Sequence, residues 1–104
     1  MAFDVYVTRK AQIDIDEYAL TIAADSVVAA ARWKDGLERL IVSLDTMPGR
    51  FSVIQEAARL GRPYRSVNYH SHRIIFRIDE AANAVYVVRV YHSARAPVVD
   101  EDLR

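Results

Sequence analysis

The chain has 104 residues and a mass of 11.8 kDa, room for one hydrophobic core, so a single domain over residues 1–104 is expected. Fourteen basic side chains balance fourteen acidic ones and 52% of residues are hydrophobic, which excludes a charge-driven disordered tail and binding through bulk positive charge. The absence of cysteine excludes a disulfide framework, a thiolate nucleophile and an iron–sulfur centre; three histidines without a matching set of ligands point to no metal and no cofactor. The opening MAFDVYVTRK lacks the apolar stretch of a secretory signal, and no run of about 18 apolar residues occurs, so a cytoplasmic protein without membrane spans is expected.

Residues 3–8 are short, apolar and β-branched, and predict a strand. Ala11, Ile15, Tyr18 and Ile22 then recur at helical spacing, with Asp14, Asp16 and Glu17 giving the early turns an acidic bias. Asp25 or Ser26 can cap a second helix, whose stripe runs through Val27, Ala30, Trp33, Leu37, Leu40, Ile41 and Leu44 and ends before Pro48 and Gly49. The two make a helical hairpin. Gly36 inside the second helix costs about 1 kcal/mol relative to alanine, a loss that close packing can offset. Trp33 reads as a core residue.

Residues 51–60 read as a connection with a helical turn or two, closed by Gly61 and Pro63. The period then changes from helical to alternating. Residues 64–69, 73–78 and 84–92 are three strands, with turns at His70-Ser71 and over residues 79–83. The last strand is apolar on both faces, which predicts a central position covered by helices on one side and by other packing or a partner on the second. The order β-α-α-β-β-β predicts an α+β domain, its helical hairpin packed on a small, curved, mainly antiparallel sheet.

The neutral total hides a segregation. Residues 51–99 carry seven arginines against three acids, whereas residues 1–50 carry six bases against eight acids, and a short acidic tail begins at about residue 99. Arginine offers a planar fork of donors to phosphate or carboxylate. In the second of the three strands Arg73, Ile75, Arg77 and Asp79 share one face, and Ile74, Phe76 and Ile78 the other. Together with Arg62, Arg65, Arg89, Arg95 and the interleaved Tyr64, Tyr69, Tyr91, His70, His72 and His92, they suit either nucleic-acid contact or a protein hot spot. For phosphoryl chemistry on RNA, His92 supplies a proton-transfer group, and Arg73 with Arg65 supplies cations.

The order of these pieces resembles the RelE/ParE superfamily of type II toxin–antitoxin toxins. The resemblance rests on the early strand, the helix bearing Asp16, Glu17 and Tyr18, the long second helix running to LIVSLDTMPGR, the basic RPYRSVNYHSHRIIFRID hairpin and the terminal strand VYVVRVYHSAR. His92 followed by Ala94-Arg95 looks more like the ParE branch, which implies a growth-inhibiting poison of DNA gyrase with no reaction of its own. That reading makes Arg65, Arg73, Arg77, Arg89, Tyr91, His92 and Arg95 the target-binding residues. It also implies a cognate antitoxin encoded alongside, with an acidic or amphipathic segment that folds on binding to form a hetero-oligomer. The ribonuclease branch implies instead a ribosome-dependent mRNA endoribonuclease using Arg73 and His92. Against it, Ser93 stands where that branch often has tyrosine, and Lys10 and Lys34 are the only lysines. A third reading is an inactive module that retains only antitoxin binding.

Overall fold

The computed structural model describes residues 2–93 and 98–103. Its elements are β1 (Asp4–Val7), α1 (Arg9–Asp25), α2 (Val27–Val42), a four-residue α3 (Ala57–Leu60), β2 (Arg65–Tyr69), β3 (His72–Asp79) and β4 (Ala84–His92). Short 3-10 turns lie at Ser43–Asp45, Pro48–Arg50 and Asp100–Leu103. The sheet order is β1-β4-β3-β2, with β1 parallel to β4 and the other two pairs antiparallel. This is the expected α+β arrangement, with the helical hairpin against a small mixed sheet and β4 inside it.

Each helix begins where a short hydroxyl side chain can satisfy an otherwise unpaired amide. Thr8 Oγ1 accepts from Ala11 N–H at 3.3 Å and starts α1. Ser26 serves both helices, because its N–H donates to Ile22 O at 3.0 Å while its Oγ accepts from Ala29 N–H at 3.1 Å. The main core lies between hairpin and sheet, where Ala11, Ile15, Leu37, Ile41 and Leu44 meet Val67, Ile74, Phe76, Val85, Val87 and Val90. Gly36 faces Tyr69. A Cβ there would fall well inside the contact distance of Tyr69 Oη, whose hydroxyl donates to Trp33 O at 2.9 Å. The helix thus accepts a poor helix former so that a sheet tyrosine can dock on its backbone.

β1 is only four residues long and covers β4 as far as Val87. Beyond that point α1 stands in for the missing strand. Thr8 Oγ1 donates to Val88 O at 3.2 Å, Val90 N–H donates to Asp14 at 3.0 Å, and His92 N–H donates to Tyr18 Oη at 2.9 Å. Four residues of helix advance about 6 Å and two residues of strand nearly 7 Å, so Asp14 and Tyr18 keep step with Val90 and His92. Two of the three acids that suggested a helix N-terminus, Asp16 and Glu17, are exposed, whereas Asp14 is buried in this seam.

The alternation expected for β3 holds, with Ile74, Phe76 and Ile78 toward the hairpin and Ile75 on the other side. In β4 it does not hold throughout. Ile75 pairs with Arg89 but Phe76 pairs with Val87, so Val88 is an extra residue and the phase shifts. Val87 and Val90 consequently both face the hairpin. The second face of the sheet is covered by the chain itself, since Ile75, Val88 and Tyr91 pack with Ile54, Ala57, Tyr64 and Val98.

Candidate functional site

The expected arginine surface is divided among different faces and partners. Arg73 points to the second face, where its guanidinium forks onto Glu56 at 2.9 and 3.4 Å. Glu56 is buried, and the same carboxylate accepts Val98 N–H at 3.0 Å. The hydrogen bond from Arg73 holds the Glu56 carboxyl down to about 2, against the opposing cost of burial and with help from the Val98 amide. Arg59 donates to Val98 O, so the two main-chain groups of Val98 are read by one acid and one base.

Arg89 makes a similar clamp on Asp14, at 2.7 and 2.8 Å, and donates to Asp102 O at 2.8 Å. Its guanidinium also lies 4.5 Å from the centroid of the Tyr91 ring. Hydrogen bonding to Asp14 raises the Arg89 pKa further above its ordinary value. Arg65 turns to the hairpin side, donating to Phe51 O at 2.6 Å and Gly49 O at 3.4 Å. Arg65, Arg73 and Arg89 therefore hold the fold together by contacts within the chain. The arginines grouped by the sequence thus lie on both faces of the sheet, Arg65 toward the hairpin and Arg73 away from it. Tyr91 is buried. Arg77 is half-buried over the Tyr86 ring, and Arg95 lies outside the described residues.

His92 is exposed at the end of β4, directly across from buried His72. Their rings are 5.2 Å apart, and His72 also lies edge-on to Tyr18 and Trp33, at 4.5 and 5.1 Å. Burial, and secondly His92 and His70, push the His72 pKa below its ordinary value. His70 instead occupies the turn with φ of 51°, exposed and against the Tyr69 ring. No cluster of three or more potential metal ligands occurs among the described residues.

Arg73 and His92 are thus on opposite faces of the sheet. Arg73 shares its side with Tyr91 and Glu56, whereas His92 shares its side with His72 and Tyr18. Glu56 and Asp14 decide where the arginines go, although in the sequence Asp14 marks only a helix start and Glu56 only one acid of a basic segment. A signal for Glu56 was present, because it is the one acid between residues 51 and 78. For Asp14 the signal was its four-residue spacing from Tyr18, which only the pairing with β4 makes meaningful.

Fold and site define a small α+β protein in which Arg65, Arg73 and Arg89 brace the chain. The family model described as ParE toxin of type II toxin-antitoxin system, parDE, matches residues 5–97. The chain belongs to that family, within the RelE/ParE superfamily. Among solved structures it is similar to the toxin–antitoxin complex RelBE2 from Mycobacterium tuberculosis. The TM-score is 0.59 at 22% identity, covering 91% of this chain and 95% of the other. No curated protein matches it.

Proposed function

We propose that this chain is the toxin of a type II toxin–antitoxin pair, inhibiting growth by binding and poisoning DNA gyrase and held inactive by a cognate antitoxin. Family membership supports the toxin reading. The observation that favours a gyrase poison over an mRNA endoribonuclease is the separation of Arg73 from His92. A ribonuclease needs a cation and a proton-transfer group converging on one phosphate. Here the sheet lies between them, and the Arg73 fork is already filled by Glu56. Among the residues expected to contact the target, half-buried Arg77 and exposed His92 are reachable, while Arg73 and Arg89 act by fixing the surface.

The test is induced expression without the antitoxin, with parallel measurement of gyrase-linked DNA breaks and of mRNA cleavage. Accumulation of cleaved DNA bound to gyrase, with mRNA intact, is the expected result. Cut mRNA that disappears in His92→Ala would replace this reading with the ribonuclease. Absence of any growth effect would leave the inactive antitoxin-binding module.

A further inference from the structure

A pocket of about 360 Å³ opens between the first turns of α2 and the β2–β3 turn. Arg32, Trp33, Tyr69 and His70 supply its cation and its rings, and none of the residues around it is an acid. Trp33 and Tyr69 are half-buried and meet at 6.2 Å with 56° between their planes, which makes them two walls of a corner rather than a closed stack. The corner is built in. Tyr69 Oη donates to Trp33 O at 2.9 Å, in the space that a side chain at position 36 would fill. His70 continues the wall, its ring 4.5 Å from that of Tyr69. It stands in the two-residue turn between Tyr69 and His72 at a φ of 51°, where glycine would be at ease and an imidazole is not.

The cation of this pocket is unlike the arginines of the sheet. Arg65, Arg73 and Arg89 are each engaged by groups of the chain, whereas exposed Arg32 makes no hydrogen bond or ion pair among the described residues. On the same helix Lys34 is already 3.6 Å from Asp16. An unpaired guanidinium beside fixed aromatic walls selects a ligand that is both planar and anionic. An acidic peptide would use Arg32 and leave the rings idle, and an aliphatic ligand would do the reverse. Two donor groups besides the rings, a guanidinium fork and an imidazole, suit the three oxygens of a phosphate better than the two of a carboxylate.

We propose that this pocket binds a nucleoside phosphate, as a free mononucleotide or as the phosphorylated end of a single strand, with the base stacked in the Trp33–Tyr69 corner and the phosphate held by Arg32 and His70. The inference concerns the chain alone and does not depend on which target the toxin engages.

Trp33 is the single tryptophan of the chain, so its fluorescence reports on this pocket. In a titration of the full chain, adenosine monophosphate should quench that signal saturably, binding about tenfold or more tightly than adenosine or inorganic phosphate alone. Arg32→Ala should weaken binding about tenfold and His70→Gly about threefold, as expected for the loss of a charged and of a neutral phosphate donor. Arg39→Ala, which removes the same charge from α2 outside the pocket, should leave the affinity unchanged. Neither pocket variant endangers the fold, since Arg32 is exposed and unpaired and glycine adopts the backbone of position 70 readily; circular dichroism checks this. A deoxyoligonucleotide carrying a terminal phosphate separates the two sources: binding tighter than the mononucleotide assigns the pocket to the end of a strand, and equal binding assigns it to the free nucleotide. Equal quenching by inorganic phosphate would reveal an adventitious anion only, and equal quenching by adenosine a stacking surface without a phosphate site. Either result overturns the proposal, as does undiminished affinity in Arg32→Ala. An unchanged Trp33 signal, together with an unshifted indole N–H resonance, overturns it as well.

Discussion

Gly36, Glu56 and His72 each show a residue whose effect runs against its usual preference. Alanine is the better helix former by about 1 kcal/mol, yet Gly36→Ala should lower stability, because the new Cβ displaces Tyr69 Oη from Trp33 O. Urea denaturation should show a loss of about 1 kcal/mol in the native background and a smaller loss, or a gain, in Tyr69→Phe. At Glu56 and His72 the folded-state pKa is depressed in both cases. For Glu56 the stabilisation is complete above 4.5 and is lost as pH falls toward about 2, an effect of about 2 kcal/mol after allowing for partial solvation. For His72 the neutral ring is favoured in the folded state, so stability is complete above 6.5 and falls on acidification below it, as the unfolded chain takes up the proton first. The groups around His72 are Tyr18, Trp33 and His92, with His70 nearby, and none is an acid that would reverse the sign. Thermal melts between pH 7 and pH 2 should therefore fall in two stages, the upper one flattened in His72→Phe and the lower one in Glu56→Gln.

The upper half of β4 depends on α1 as a substitute strand. Asp14 is the joint of that arrangement, accepting from Val90 N–H and both donors of the Arg89 fork. Asp14→Ala should cost about 3–5 kcal/mol, since it leaves a largely buried guanidinium without its partner. Replacing the pair together, Asp14→Leu with Arg89→Met, should cost markedly less, and chemical denaturation of the single and double variants would reveal that coupling. The hairpin, the three long strands and the central place of β4 were legible in the sequence, because each rests on periodicity and on caps such as Ser26. The β4 bulge was not legible. Val85 to Val90 is apolar with one arginine, and no pattern within it says that Val87 and Val90, rather than Val87 and Arg89, face the hairpin. That choice follows from where Asp14 holds Arg89.

Across the whole molecule the segregation of charge turns out to be internal bracing as well as surface. Acids from the N-terminal half and the connection, Asp14 and Glu56, close on Arg89 and Arg73 of the strands, while the segment from Val98 to Leu103 is held over the second face through its main chain. Toxicity assays should separate residues of the proposed contact surface from those that brace the fold. Arg77→Ala and His92→Ala should reduce growth inhibition with the melting temperature nearly unchanged, whereas Arg73→Ala should lower toxicity only in step with a loss of about 2–4 kcal/mol in stability. Equal melting temperatures for all three would show that Arg73 does not brace the fold.

By itself the sequence determined the class of fold, the place of the hairpin and strands, the family resemblance and the exclusion of thiol chemistry, since all of these depend on composition, period and local order. The tertiary structure alone decided which arginines are held in ion pairs, that Arg73 and His92 are parted by the sheet, and that β1 is an outer strand beside β4. The physical reason is that an ion pair between residues 75 positions apart, such as Asp14 and Arg89, leaves no periodic trace in the chain. Its partners are chosen by the register of the sheet and by the bulge that sets it.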